Sequence, residues 1–281
     1  MFRNSYCVLR KDNKIILHHQ YVKDDKSQKP VLVMLHGLLS SHETFLPLIP
    51  ALRSHFDLLL IDQRGHGLTP AEGEDYTAER MARDVFELLD YLKITKIIIL
   101  GHSMGGRTAL MFGALFPEMI DKMIIEDMGI HQRQERTLER DLEKLSLARK
   151  SRVPSLIFKS KEEIFEVISP LFPYAKDLLK TKVVMLAPDK FELKFWPDVS
   201  VLYGYQGNYT DLTFALTESK FPVMLLIADP KVGSALTPKC IEHIKTHVPR
   251  AILHPIAKSW HNIHKTHPTE FCESLIAFIK S

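Results

Sequence analysis

Short apolar runs recur along the chain, and amphipathic stretches fall between them. Residues 31–35, 57–61, 97–100, 119–126, 223–228 and 250–255 are too brief for helices and are dominated by Val, Ile, Leu and Met. Such runs predict strands buried on both faces of a sheet. The intervening stretches 43–53, 77–92, 107–115, 238–246 and 270–280 have helical character. Over 77–92, Met81, Val85, Leu88, Leu89 and Leu92 fall on one stripe, the mark of a helix with a single buried face. Pro238 suits the first turn of its helix. Ahead of all these, residues 6–9 and 14–19 predict a hairpin turning at Asp12-Asn13. Strands alternating with helices at this spacing predict an α/β fold, a mostly parallel central sheet covered by helices on both faces.

The pattern changes between residues 130 and 210. Charged helical stretches are predicted at 137–150 and 161–168 and a third helix within 175–186, and an aromatic-rich stretch follows with Phe191, Phe195, Trp196, Tyr203, Tyr205 and Tyr209. An insertion after a strand is expected to form a helical cap, leaving residues 1–129 and 211–281 as the core domain and 130–210 as the cap.

Ligands of open α/β sheets bind beyond the carboxyl ends of the strands. His36, Asp62, Ser103 and Asp127 each follow a predicted strand end, so four polar groups share one rim. The most specific signal is Gly101-His102-Ser103-Met104-Gly105, a G-x-S-x-G between a buried strand and a helix. That pattern is a nucleophile elbow: the serine sits on a sharp, strained turn, and the residues two before and two after it must be small.

Composition narrows the picture further. The chain has 281 residues with 37 Lys and Arg against 34 Asp and Glu, intermixed, for a formal charge of +3. That balance leaves no footprint for nucleic acid. No apolar run is long enough to span a membrane, and none at the N-terminus suits a signal peptide. Cys7, Cys240 and Cys272 are odd in number, far apart and without a C-x-x-C pair, which fits reduced thiols and a cytoplasmic location. No H-E-x-x-H or other compact ligand cluster occurs among the 14 histidines, so neither metal nor cofactor is implied, and His18-His19 is expected at the surface. The glycines around Ser103 do not form a dinucleotide loop, because the serine fills a glycine position.

Strand-His36-Gly37, strand-Asp62-x-Arg64-Gly65-x-Gly67, Gly101-x-Ser103-x-Gly105 and a late His261, in that order, resemble the α/β-hydrolase superfamily over nearly the whole chain. The form Ser103-Met104-Gly105-Gly106 is similar to that common among its carboxylesterases, lipases, thioesterases and carbon–carbon bond hydrolases, and the match resembles its small intracellular esterases more than secreted lipases. The resemblance implies the α/β-hydrolase fold and a serine nucleophile at Ser103. It places the base near the C-terminus, where His261 follows the last strand, with His264 and His267 as the neighbouring candidates. For the acid it leaves two positions. Asp229 follows the strand at 223–228 but lacks the expected spacing, since Ala228 replaces a glycine and Lys231 or Val232 falls where the aspartate should be. Asp127 follows the earlier strand, as in haloalkane dehalogenases and some small esterases, and is favoured; Glu126 should point to the other side. The oxyanion hole is expected from the backbone N–H groups of Leu38 and Met104, with His36 and Gly37 bracing the first of these loops. Asp62 and Arg64 are expected to pin a glycine-rich loop beneath the site.

The expected activity is cleavage of a carboxylic ester or thioester of a small-to-medium, mostly apolar acyl group through an acyl-serine intermediate. Cleavage of diketone-type carbon–carbon bonds would use the same residues, and perhydrolysis also shares the set. A non-catalytic ligand receptor or a protein-interaction scaffold on the same fold are the remaining alternatives. Ser103 in place of an aspartate nucleophile argues against dehalogenase and epoxide hydrolase chemistry.

Overall fold

Eight strands make the central sheet of the computed structural model, which describes residues 3–8, 16–24, 26–71, 73–132 and 137–281. In chain order the strands of this sheet are β1 (Arg3–Val8), β2 (Ile16–Val22), β3 (Val31–Leu35), β4 (Asp57–Ile61), β5 (Ile97–His102), β6 (Ile120–Glu126), β10 (Val223–Ile227) and β11 (Ile252–Pro255). Three further strands, β7 (Ile157–Phe158), β8 (Val183–Ala187) and β9 (Lys190–Leu193), form a separate small sheet. The main sheet has the order β1-β2-β4-β3-β5-β6-β10-β11, antiparallel through β2·β4 and parallel from β4 onward. This is the mostly parallel α/β-hydrolase sheet that the resemblance implies. The hairpin turn at Asp12-Asn13 lies outside the described residues.

Side chains alternate across the sheet as the period of two requires. On one face Val33, Leu59, Ile99, Met123 and Leu225 pack with α2 (Ala78–Tyr91) and α3 (Met104–Leu115). On the other, Leu32, Leu58, Ile98, Ile124 and Leu226 pack with α1 (Ile49–Leu52) and the C-terminal helix Pro268–Lys280. Helix α2 buries Met81, Val85, Leu88 and Leu89, and Thr77 caps it by accepting from the Arg80 N–H at 3.2 Å. Among the described residues, no helix is long and apolar enough to cross a membrane.

Between β6 and β10 lie α4 (Leu138–Ser151), α5 (Lys161–Ile168), α6 (Ala175–Thr181) and α7 (Pro197–Gln206), then the short α8 (Thr213–Thr217). The helix expected within 175–186 spans Ala175–Thr181, and β8 occupies the rest of that stretch. Residues 183–186 are Val-Val-Met-Leu with no helical period, and they pair with β9 across a tight turn at Pro188-Asp189. The small antiparallel sheet has the order β7-β9-β8, so this segment is not purely helical. Its own apolar cluster joins Ile164, Ile168, Leu178, Leu193 and Phe195. A second cluster ties α4 and α7 to the core through Tyr76, Met104, Val199, Leu202 and Tyr203.

Arg107 on α3 holds both ends of this segment to the sheet. It is 1% exposed, and its guanidinium donates to the carbonyls of Gly129 (3.2 Å), Gly207 (2.7 Å) and Thr210. Its planar fork of donors suits three converging carbonyls, which a lysine could not serve in the same way.

Candidate active site

At the carboxyl end of β5 the chain turns abruptly into α3, and Ser103 sits at the corner with φ 50° and ψ −111°. Few non-glycine residues adopt that conformation, and holding one there requires the surroundings to over-determine it. The Ser103 N–H donates to the Glu126 carbonyl (3.0 Å), its own carbonyl accepts from Gly106 (2.9 Å), and the Gly105 N–H donates to the His36 carbonyl (3.1 Å). The two flanking glycines are sterically required. A Cβ on Gly101 would stand 2.2 Å from the Gly105 carbonyl oxygen, and one on Gly105 would stand 2.2 Å from that of Leu35.

His261 lies in the loop after β11, 134 positions from Asp127, and its ring Nδ1 is 2.7 Å from Asp127 Oδ2. Asp127 is 1% exposed and has φ 41°, a left-handed backbone that aspartate tolerates better than most residues. Its carboxylate also accepts from the Ser234 hydroxyl (2.5 Å) and the N–H groups of Ala235 (2.7 Å) and Ala228 (3.2 Å). Burial alone would raise its pKa; the hydrogen bonds from His261, Ala235 and Ser234 outweigh that and hold it below the ordinary value of 3.8. Ionised, Asp127 can only accept, so His261 Nδ1 carries the hydrogen and Nε2 is left as the basic atom. Ser234 and Ala235 were not singled out by sequence reasoning. The loop after β10 thus supplies donors to the carboxylate that follows β6.

Asp229 is placed differently. Its carboxylate accepts from the N–H groups of Lys231 (2.9 Å) and Lys258 (2.8 Å), stapling two loops together, and those bonds keep its pKa below the ordinary range. His267 does not reach the site; its Nδ1 is bonded to Thr266.

The backbone N–H groups of Leu38 and Met104 have no acceptor among the described residues. Met104 opens α3, where free N–H groups and the positive end of the helix dipole coincide. His36 braces the first loop: its Nε2 accepts from the Gln63 N–H (3.1 Å) and its Nδ1 faces the Gly37 carbonyl (2.8 Å). It is fully buried, and burial pushes its pKa down to about 3.

Beneath the site are two buried clusters of histidine with carboxylate, His18-His42-Asp62 and His102-Glu126-His264, whose ligand atoms lie within 4.8 Å of one another. Hydrogen bonds account for both carboxylates. Asp62 accepts from His18, from the N–H and ring of His42, and from the Leu68 N–H. Glu126 accepts from the N–H and ring Nδ1 of His264. His18 and His19 are therefore not surface residues as expected; they are 1% and 0% exposed. Arg64 pairs with the buried Asp84 at 2.7 Å, so Asp62 and Arg64 each fix the glycine-rich loop through a different partner.

A family model described as the alpha/beta hydrolase fold matches residues 30–154. A serine hydrolase-like protein of Homo sapiens is 32% identical over 144 residues, spanning 48% of this chain and 71% of the human protein. The chain belongs to the α/β-hydrolase superfamily. Within it, this α/β-hydrolase is esterase/lipase-like. A Haemophilus influenzae protein described as an esterase or lipase is 35% identical over 117 residues, 41% of this chain. The chain spans only 40% of that relative's length. Among solved structures, a marine microorganism esterase superposes with a TM-score of 0.70 at 26% identity, covering 93% of this α/β-hydrolase and 98% of the esterase.

Proposed function

We propose that this α/β-hydrolase cleaves a carboxylic ester or thioester through an acyl-serine intermediate, with Ser103 as nucleophile, His261 as base and Asp127 as acid. The single observation that carries this is the 2.7 Å contact of His261 Nδ1 with a buried, multiply bonded Asp127, on the rim where Ser103 is held at positive φ. The names of the relatives, esterase, lipase and serine hydrolase-like, point the same way.

In the proposed cycle, His261 Nε2 takes the Ser103 proton as Oγ attacks the carbonyl carbon. The developing oxyanion is met by the N–H groups of Leu38 and Met104; one such donor is typically worth about 3–4 kcal/mol of transition-state stabilisation. His261 then protonates the departing alkoxide or thiolate. A water activated by the same ring attacks the acyl carbon and frees the acid. Asp127 keeps the ring in the required tautomer and stabilises the imidazolium without taking its proton. Residues 130–210 serve as the cap in this reading, and their apolar and aromatic content favours a small-to-medium apolar acyl group.

Intact-mass labelling with a fluorophosphonate tests the nucleophile. Wild type is expected to gain one adduct that Ser103→Ala lacks. On a nitrophenyl ester series, Asp127→Asn should lower kcat by roughly three to four orders of magnitude, whereas Asp229→Asn stays near wild type. A protein inert to the probe and to every activated ester would end this reading; the reverse order of the two Asn variants would move the acid to Asp229.

A further inference from the structure

A cavity of about 550 Å³ lies where three parts of the molecule meet. The loop and 3-10 turn after β3 contribute Leu39, Ser40 and Thr44, β8 and the residue before it contribute Val184 and Lys182, and the segment beyond His261 contributes Lys265. Neither Ser103 nor His261 lines it.

Its charges are unevenly matched. Lys194 is neutralised by Glu192 at 2.5 Å. Asp62 is spent on the two histidines and two N–H groups described above. Glu43 is exposed on the lining. Lys182 and Lys265 have no carboxylate partner among the described residues. Lys182 is half-buried, and its ammonium makes one hydrogen bond, to the Leu39 carbonyl (2.5 Å), leaving two of its three donors unused. Burial first, and the charge of Lys265 on the same lining second, lower its pKa, and neither ammonium makes an ion pair among the described residues. Desolvating one cation beside another is unfavourable unless something negative arrives. Around them, Ser40 offers a hydroxyl group, and Leu68, Leu156, Val184 and Pro268 supply an apolar wall.

We propose that this cavity binds a small amphiphilic organic anion, its carboxylate or phosphate head held by Lys182 and Lys265 and its apolar body against Leu68, Leu156 and Val184. The occupant would touch the loop that carries Leu38 and the segment that follows His261, so it sits beside the proposed catalytic groups without using them. The site does not depend on the reading of Ser103.

Isothermal titration of the intact chain with octyl phosphate, octanoate, octanol and inorganic phosphate tests this, with lysine acetylation footprinting by peptide mass spectrometry to locate the ligand. One saturable site is expected for one or both amphiphilic anions, with acetylation slowed at Lys182 and Lys265. Octanoate alone would identify a fatty-carboxylate site and octyl phosphate alone a phosphate-ester site. Lys265→Gln should weaken binding by about tenfold, the loss of one charge-assisted contact, and Lys182→Gln with Lys265→Gln should abolish it. Lys265 is exposed, so its variant folds and keeps the test decisive even where the Lys182 change loosens the small sheet. Saturable binding of octanol as tight as that of the anions, unchanged affinity in Lys265→Gln, protection confined to other lysines, or no anion binding would overturn the proposal. Inorganic phosphate binding as tightly as octyl phosphate would overturn its apolar half.

Discussion

His264 binds Glu126 twice, donating from its backbone N–H at 2.9 Å and approaching with ring Nδ1 at 2.8 Å, while its Nε2 contacts the Thr44 hydroxyl at 2.7 Å. Both partners of the Glu126 contact are fully buried. Glu126 ends β6 and Asp127 follows it at φ 41°, and these adjacent carboxylates take two histidines three positions apart, His264 for Glu126 and His261 for Asp127. His102 closes the frame: its Nε2 lies 3.0 Å from the His261 carbonyl oxygen, and its ring packs against those of His261 and His264.

Glu126→Gln preserves shape but removes the buried charge that takes both donors. The variant is expected to lose on the order of 1–3 kcal/mol of stability, read as a lowered urea midpoint. Its kcat should fall well short of the loss in Asp127→Asn, because Glu126 steadies the loop and Asp127 contacts the ring of His261.

Arg107→Met would leave the carbonyls of Gly129, Gly207 and Thr210 without their shared donor. Each buried orphan costs about 1–3 kcal/mol. Limited proteolysis should then cut within residues 130–210 at protease levels that leave wild type intact, before the central sheet unfolds.

The tolerance of glycines should divide sharply. Gly105→Ala drives a methyl group into the Leu35 carbonyl and is expected to abolish soluble, folded protein, whereas Gly204 in α7 has open space where a Cβ would stand. Gly204→Ala should raise stability by about 0.5–1 kcal/mol through helix propensity, measurable as a higher urea midpoint.

Acid should destabilise the fold from just below neutrality. Burial is the first cause pushing His36, His66 and His102 down to about 3, 4 and 4 from 6.5. Between those values and 6.5 the unfolded chain binds more protons, so stability falls as pH falls. His19, also lowered by burial, adds to this. His42 opposes it: burial would lower its pKa, but its bonds to Asp62 raise it. Below the ordinary carboxylate range Asp62, Glu126 and Asp127, all depressed, extend the loss in the same direction. Urea midpoints from pH 7.5 to 5 should show a net uptake approaching about three protons on unfolding; a flat profile would contradict this account.

Much of the architecture was legible because its signals are local. The six strands of the parallel part announced themselves as apolar runs, and α5 falls on the stretch read as helical, Lys161–Ile168. The small sheet did not. Residues 175–186 lack the turn chemistry that would separate a helix from a strand, and only pairing with β9 makes residues 183–187 extended. His264 was similarly hidden: its partner is 138 positions away, and nothing near it in sequence marks it as buried.

The chain by itself determined the turn at Ser103, because glycines two residues to either side are a steric condition met within five consecutive positions. It left two carboxylates as candidate partners for His261. Tertiary structure alone brought His261 to Asp127, spent Asp229 on loop N–H groups and recruited Ser234 and Ala235 as donors. Spacing along the chain carries no record of these contacts, since the order of strands in the sheet decides which loops meet at its rim.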